Sequence, residues 1–236
     1  MSGEGTRAGT VRGRRVWWRV AAEGASWFLI GVFAGVLAFF AVSNAYTAWD
    51  QARIKASAPA ALASKVPAGV VAGPPGNRLD FGGYETQDLP YWRQLAWGGP
   101  MGRLVIPKIE LDVVVIKGAN VADLWKGPGW IRQTDLPGPG GNAAVSGHRT
   151  TFGHPFGRLD VLGAGDTIDL YSPYRRYRYV VESTESVTPK QTAAVSHTVD
   201  PQLTLTTCDP PYSARFRLIV HAKLVDVRLL QADAKP

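Results

Sequence analysis

Three side chains define the chemistry open to this sequence: one thiol, one imidazole and one guanidinium, each placed where a β-like run meets a loop. The thiol is Cys208, the single cysteine in 236 residues. It ends the run Leu203-Thr-Leu-Thr-Thr-Cys208 and precedes Asp209-Pro210-Pro211. Strand ends that open into loops are where rigid scaffolds commonly present reactive groups. A lone cysteine forms no intramolecular disulfide, which leaves two readings, a small buried hydrophobe or a reactive thiol. The imidazole is His148, in Asn142-Ala-Ala-Val-Ser-Gly-His148-Arg-Thr-Thr151. An imidazole takes and returns protons near neutral pH, which thiol chemistry requires. The guanidinium is Arg217, nine residues after Cys208. If the loop between them turns the chain into a hairpin, this always-charged donor lies beside the thiol.

The elements that must carry these groups are short β-branched runs separated by Gly- and Pro-rich turns. They are Leu104–Ile109, Leu111–Ile116, Asn142–Ser146, Thr167–Tyr171, Tyr177–Val181, Leu203–Thr207 and Phe216–Val227. This texture predicts an all-β barrel or sandwich. In the last run Phe216, Leu218, Val220, Ala222 and Leu224 fall on one face, with Arg215, Arg217, His221 and Lys223 on the other. Val121–Trp125 predicts one helical turn, ended by Gly127-Pro-Gly129. Residues 50–100 are rich in Ala, Pro and Gly and predict a stalk. Within them Asp88–Trp97 is more apolar and reads equally as a short helix or as a segment packed on the domain.

The formal charge of +7 is concentrated at the N-terminus. Residues 1–23 hold five arginines against Glu4 and Glu23, while from Met101 onward sixteen Lys or Arg face thirteen Asp or Glu. A basic tail beside a nearly balanced domain argues against nucleic-acid binding. Ala25–Val42 is an uncharged run of eighteen residues, continued to Trp49, and is long enough to cross a bilayer. Trp17, Trp18, Trp27, Tyr46 and Trp49 flank it as interfacial aromatics do. Arginines ahead of the span predict a cytoplasmic N-terminus and an external remainder. A cleaved signal is the alternative; the length of the span and the absence of a small-x-small site speak against it. The length and 45% hydrophobic composition suit one globular unit plus accessory segments.

Thr204-Leu-Thr-Thr-Cys208, Ser146-Gly-His148 and Arg217-Leu-Ile-Val-His-Ala222, in that order of function and behind a membrane span, resemble the sortases. These are membrane-anchored cysteine transpeptidases of Gram-positive bacteria. Gly147-His-Arg-Thr-Thr-Phe-Gly-His-Pro-Phe156, with Thr204-Leu-Thr-Thr-Cys-Asp-Pro210, is most similar to the actinobacterial class E. The resemblance covers about residues 101–230 and implies a closed β-barrel of about eight strands with short helices. It implies Cys208 as nucleophile, His148 as general acid and base, and Arg217 as the group that binds substrate and stabilises the oxyanion. Thr207 matches a position whose side chain or backbone helps shape the oxyanion site. Arg215 shares the predicted face of Arg217 and competes for its role; the spacing to Ile219-Val220 favours Arg217.

The expected organisation is a cytoplasmic tail (1–23), an anchor (24–49), a stalk (50–100), a catalytic domain (101–230) and a short tail (231–236). The reaction implied is cleavage of a C-terminal Leu-Ala/Pro-x-Thr-Gly-type sorting signal between Thr and Gly, then transfer to an amine of a peptidoglycan precursor or a pilin. Covalent capture splits one hard amide exchange into two easier steps. Loss of an oxyanion donor such as Arg217 raises the barrier by about 3 kcal/mol. Partners are therefore proteins bearing sorting signals, an amine acceptor and the membrane; no cofactor, metal or nucleic acid is expected. Two other readings are a peptidase that delivers the acyl group to water and an inactive, membrane-tethered wall-binding scaffold.

Other candidates carry blander readings. His154, with Asp160 or Asp166, lacks the short-spaced ligand pair of a zinc site. Glu110, Asp112 and Asp166 suit calcium only by a texture that is common beside strands. His221 reads as an exposed or hydrogen-bonded histidine, and His197 as a loop residue with no partner to name. The basic run Tyr171–Tyr179 reads as a solvated, alternating turn rather than an anion site. Pro137-Gly-Pro-Gly-Gly141 is a turn, because its prolines remove phosphate-binding donors.

Overall fold

The β-branched runs pair edge to edge until the sheet meets itself. The structure is a computed structural model that describes residues 9–63 and 78–230. Among these, eight strands form a closed barrel: β1 Pro100–Ile106, β2 Leu111–Lys117, β3 Gly129–Trp130, β4 Asn142–Ser146, β5 Thr167–Tyr171, β6 Arg175–Val187, β7 Gln202–Asp209 and β8 Phe216–Leu229. Their order around the barrel is β1-β2-β3-β4-β7-β8-β6-β5. Two contacts, β2 with β3 and β4 with β7, are parallel. The helices are α1 Gly9–Ser57, α2 Ala60–Ala63, α3 Asp88–Gln94 and α4 Val121–Lys126. Alternation along the strands fills the interior with Leu104, Ile106, Ile168, Tyr177, Leu203, Leu205 and Val220, all fully buried.

The chain divides into two compact units, Met1–Val42 and Ser43–Pro236. In the first, the described part of α1 exposes Trp27, Phe28, Leu29, Phe33 and Leu37. This helix is long and apolar enough to cross a membrane. The second unit contains the barrel and the last turns of α1.

Residues 50–100 differ from the expected stalk. α1 continues to Ser57, as its Ala-, Gln- and Arg-containing sequence favours. Residues 64–77 lie outside the described residues, as do 1–8 of the basic tail and the tail 231–236. From Leu79 the chain returns to the barrel, and α3 inserts Trp92, 1% exposed, into the core against Tyr84 and Tyr177. The indole donates to the Met101 carbonyl at 2.9 Å. Lys117 of β2 closes the helix end, its ammonium donating to the carbonyls of Trp92, Arg93 and Leu95 at 2.6, 3.0 and 2.8 Å. Those carbonyls have no intrahelical partner, so the lysine satisfies them.

The basic run Tyr171–Tyr179, which joins β5 to the first residues of β6, is also not the solvated turn its alternation predicts. Arg175, Arg176 and Arg178 are buried, each against a carboxylate. Arg178 meets Asp169 through two hydrogen bonds of 2.7 and 2.8 Å, and Arg176 meets Asp226 at 2.5 Å. Arg175 pairs with Asp88, and neither side chain is exposed. This pair fastens the segment carrying α3 to the β5–β6 turn. Asp88→Ala is expected to lower stability by about 3–5 kcal/mol, because it strands a buried guanidinium. Denaturant unfolding of the full chain in detergent measures this, and an unchanged midpoint would refute it.

Candidate active site

The parallel pairing of β4 with β7 decides where the imidazole and the thiol meet. Its register runs from Asn142 opposite Gln202 to Ser146 opposite Thr206. Two residues further along each strand stand His148 and Cys208. The ladder continues past β4: Gly147 N–H donates to Thr206 at 3.1 Å, and the Thr207 hydroxyl donates to the Gly147 carbonyl at 2.8 Å. Neighbouring strands lie about 4.8 Å apart, so the two positions are set side by side at one end of the barrel.

The antiparallel pairing of β7 with β8 brings the guanidinium. Cys208 lies directly opposite Arg217, and directly opposed residues project from the same face. Leu203, Leu205, Val220 and Ala222 face the core. By alternation Thr204, Thr206 and Cys208 of β7, with Arg217, Ile219 and His221 of β8, form the outer face. The three residues singled out by type and position therefore reach one end of three adjoining strands, β4, β7 and β8.

Each environment is distinct. His148 is half-buried, its Nε2 enclosed without a hydrogen-bond partner among the described residues. Its ring packs on Phe152 with centroids 5.1 Å apart, and Phe152 stacks on Trp125 at 5.5 Å. Burial pushes the imidazole pKa down, so the ring is neutral at neutral pH. Arg217 is half-buried and donates to the carbonyls of Ala214 and Phe216 at 3.1 and 3.0 Å. Among the described residues no carboxylate pairs with it, so its charge faces the outer surface uncompensated. Arg215 precedes β8 and lies exposed with its guanidinium 5.2 Å from the Phe216 ring centroid, outside the strand ladder.

Of the two roles expected for Thr207, by side chain or by backbone, the side-chain one does not fit its geometry. Its side chain is 2% exposed and its hydroxyl is committed to Gly147, because alternation turns position 207 inward when Cys208 faces out. It fastens the His148 loop to β7 and offers no hydroxyl to an oxyanion.

Arg149 is the residue that sequence reasoning missed. It is 7% exposed and donates to the Cys208 carbonyl at 3.1 Å and the Asp209 carboxylate at 2.5 Å, with Asp160 at 3.3 Å. Asp209 also accepts from Ser186 at 2.6 Å. The Ser186 hydrogen bond and the Arg149 guanidinium hold the Asp209 carboxyl below the usual carboxylate range. The available signal was positional: Arg149 follows the imidazole, Asp209 follows the thiol, and a parallel pairing of the two runs sets them face to face.

At the far end of the outer face Asn142 donates to the carbonyls of Ala194 and Ser196, at 3.3 and 3.2 Å, which draws the β6–β7 connection over it. Beside Ser146 opens a cavity of about 520 Å³, lined by Trp97, Asn120, Asp123 and Arg132 among others. The remaining histidines lie elsewhere: His221 sits 3.0 Å from Glu185, His197 3.0 Å from Asp135, and His154 is exposed. Asp112 pairs with Arg103, and Asp166 with Lys108 at 2.7 Å.

Comparison with known proteins agrees with this geometry. The family model described as "Sortase domain" matches residues 104–225. Sortase A of Listeria monocytogenes is 27% identical over 124 residues, covering 52% of this chain and 56% of that protein. Sortase D of Bacillus subtilis is 33% identical over 133 residues, covering 54% and 65%. The chain thus matches less than two thirds of the length of either relative. The solved structure of sortase E from Streptomyces avermitilis is 30% identical with a TM-score of 0.54, covering 60% of this chain and 97% of that one.

Proposed function

The chain belongs to the sortase family, and on that premise we propose that it is a class E-like cysteine transpeptidase. It cleaves a C-terminal sorting signal of the Leu-Ala/Pro-x-Thr-Gly type and transfers the protein to an amine of the cell wall or a pilin. The observation that supports this most is the shared end of β4, β7 and β8, at which His148, Cys208 and Arg217 stand.

The Cys208 sulfur attacks the Thr carbonyl carbon while neutral His148 takes the thiol proton. Charge develops on the carbonyl oxygen, and the Arg217 guanidinium, paired with no carboxylate among the described residues, faces it. The C–N bond breaks, His148 gives its proton to the departing Gly amine, and a thioester remains on Cys208. An incoming amine then loses a proton to His148 and attacks the thioester. The C–S bond breaks, a new amide forms, and the proton returns to sulfur. Arg149 holds the Cys208 carbonyl and Asp209 throughout, so nucleophile and base keep their spacing.

The N-terminal apolar helix anchors the enzyme, with the N-terminus cytoplasmic and the barrel outside. Confinement of enzyme and substrate to one membrane face raises their effective concentration without added affinity.

The test is product analysis by mass spectrometry, with the full chain in detergent, a sorting-signal peptide and a glycine-based amine. The amine adduct is expected to dominate when the amine is present. Free acid alone in both conditions would identify a peptidase instead, and unchanged peptide an inactive scaffold.

A further inference from the structure

The last turns of α1 share a compact unit with the barrel and touch it along one stripe. Asn44, Thr47, Gln51 and Lys55 recur at intervals of three or four and so lie on one helix face. The Asn44 side-chain oxygen accepts from Gly153 N–H at 2.9 Å, and the Thr47 hydroxyl donates to the Trp125 carbonyl at 2.7 Å. Gln51 makes three bonds: its amide nitrogen donates to the carbonyls of Val114 and Lys126, at 3.1 and 2.9 Å, and its oxygen accepts from Val114 N–H at 2.9 Å. The barrel surface is shaped for this helix. A Cβ on Gly153 would lie 3.0 Å from Thr47, and one on Gly127 2.3 Å from Gln51. Ser43, Thr47 and Asp50 are buried, although an anchor over residues 24–49 would expose the first two to lipid.

Two of these contacts end on residues that hold the imidazole. Gly153 follows Phe152, and Trp125 stacks on Phe152 with ring planes 14° apart. Phe152 in turn lies against His148. Phe152 adopts a φ of 50°, a left-handed conformation that an aromatic residue keeps only where its surroundings enforce it. Among the described residues no side-chain hydrogen bond orients the His148 ring, so its contact with Phe152, tilted by 35°, is what sets its plane.

We propose that this face of α1 is a positioning element of the active site, with Asn44 and Thr47 fixing Phe152 and Trp125 so that their stack sets the His148 ring. The proposal rests on the reading of His148 as the acid and base of the reaction. Asn44, Thr47, Trp125 and Phe152 are then positioning residues. The charged groups on the elements around the imidazole are Arg149 on its own loop, Asp209 on β7 and Arg217 on β8; substitutions at 44 and 152 leave all three in place.

The test uses the full chain in detergent micelles, with Asn44→Ala, Phe152→Ala and Phe152→Tyr. For thioacyl capture of a sorting peptide, kcat is expected to fall on the order of 10- to 100-fold in Asn44→Ala and Phe152→Ala, with KM within about two-fold, because a displaced catalytic group costs rate rather than binding. Phe152→Tyr keeps the stack and should restore most of the rate. Independently of activity, the His148 ring resonance identifies its titration midpoint, assigned among four histidines by loss in His148→Gln. That midpoint is expected to rise towards the ordinary imidazole value in Asn44→Ala and Phe152→Ala as the cover loosens. If wild type captures no peptide but the midpoint still moves, the functional reading fails and the positioning role stands. If capture and midpoint are both unchanged in the variants, whatever the melting temperature does, the positioning role is wrong.

Discussion

Cys208→Ala is expected to abolish capture of a sorting peptide, leaving no thioacyl adduct in an intact-mass measurement. The chain has no second thiol to substitute for it. The nearest hydroxyls on the same outer face, those of Ser146 and Thr206, are far weaker nucleophiles without a base aligned on them. The variant should fold normally. Cys208 faces outward and is half-buried, and Arg149 grips its backbone carbonyl rather than its side chain. A stability change of no more than about 1 kcal/mol is expected for such a truncation. An adduct that persisted in folded Cys208→Ala would remove the thiol from the mechanism.

The second large effect is at His148. His148→Ala should slow thioacyl formation by about 10²- to 10⁴-fold, the usual contribution of a positioned general base. Binding of the peptide should change little. In the wild type, burial lowers the imidazole pKa, so the base stays neutral until the pH falls below the ordinary imidazole value of about 6.5. The acid limb of kcat/KM is therefore expected below that value. The same shift has a stability counterpart with a definite sign. As pH falls, the unfolded state binds the His148 proton first, so stability is lost from about pH 6.5 down through the lower folded-state value. His148→Gln should remove that part of the acid sensitivity. An acid limb at or above the ordinary value, or a His148→Ala rate close to wild type, would count against His148 as the base.

What the sequence disclosed follows the strength of local signals. The run Phe216–Leu224 has a clean period of two, and its apolar positions Leu218, Val220, Ala222 and Leu224 indeed face the core. The second half of β6, Glu182–Val187, has no such period because its side chains are mostly solvated; only pairing with β8 makes it a strand. β3 is two residues, Gly129-Trp130, set in a Gly-Pro context that reads as a turn. The thiol, imidazole and guanidinium were legible because type and strand-end position coincide. Arg149 was not, because its value lies in a partner sixty residues away. Buried Arg175, Arg176 and Arg178 were misread for the same reason: the carboxylates that neutralise them are contributed by α3, β5 and β8.

The parallel seam between β4 and β7 also decides when the chemistry becomes possible. Its two strands are joined by a connection that includes β5, β6 and the loop that follows, and tying such distant segments together is a late, slow event in folding. Until that seam forms, the cysteine lacks its base, even where the β7–β8 hairpin already sets Arg217 opposite it. A newly made or partly unfolded chain therefore carries a thiol without its base, and the pair is completed by barrel closure itself.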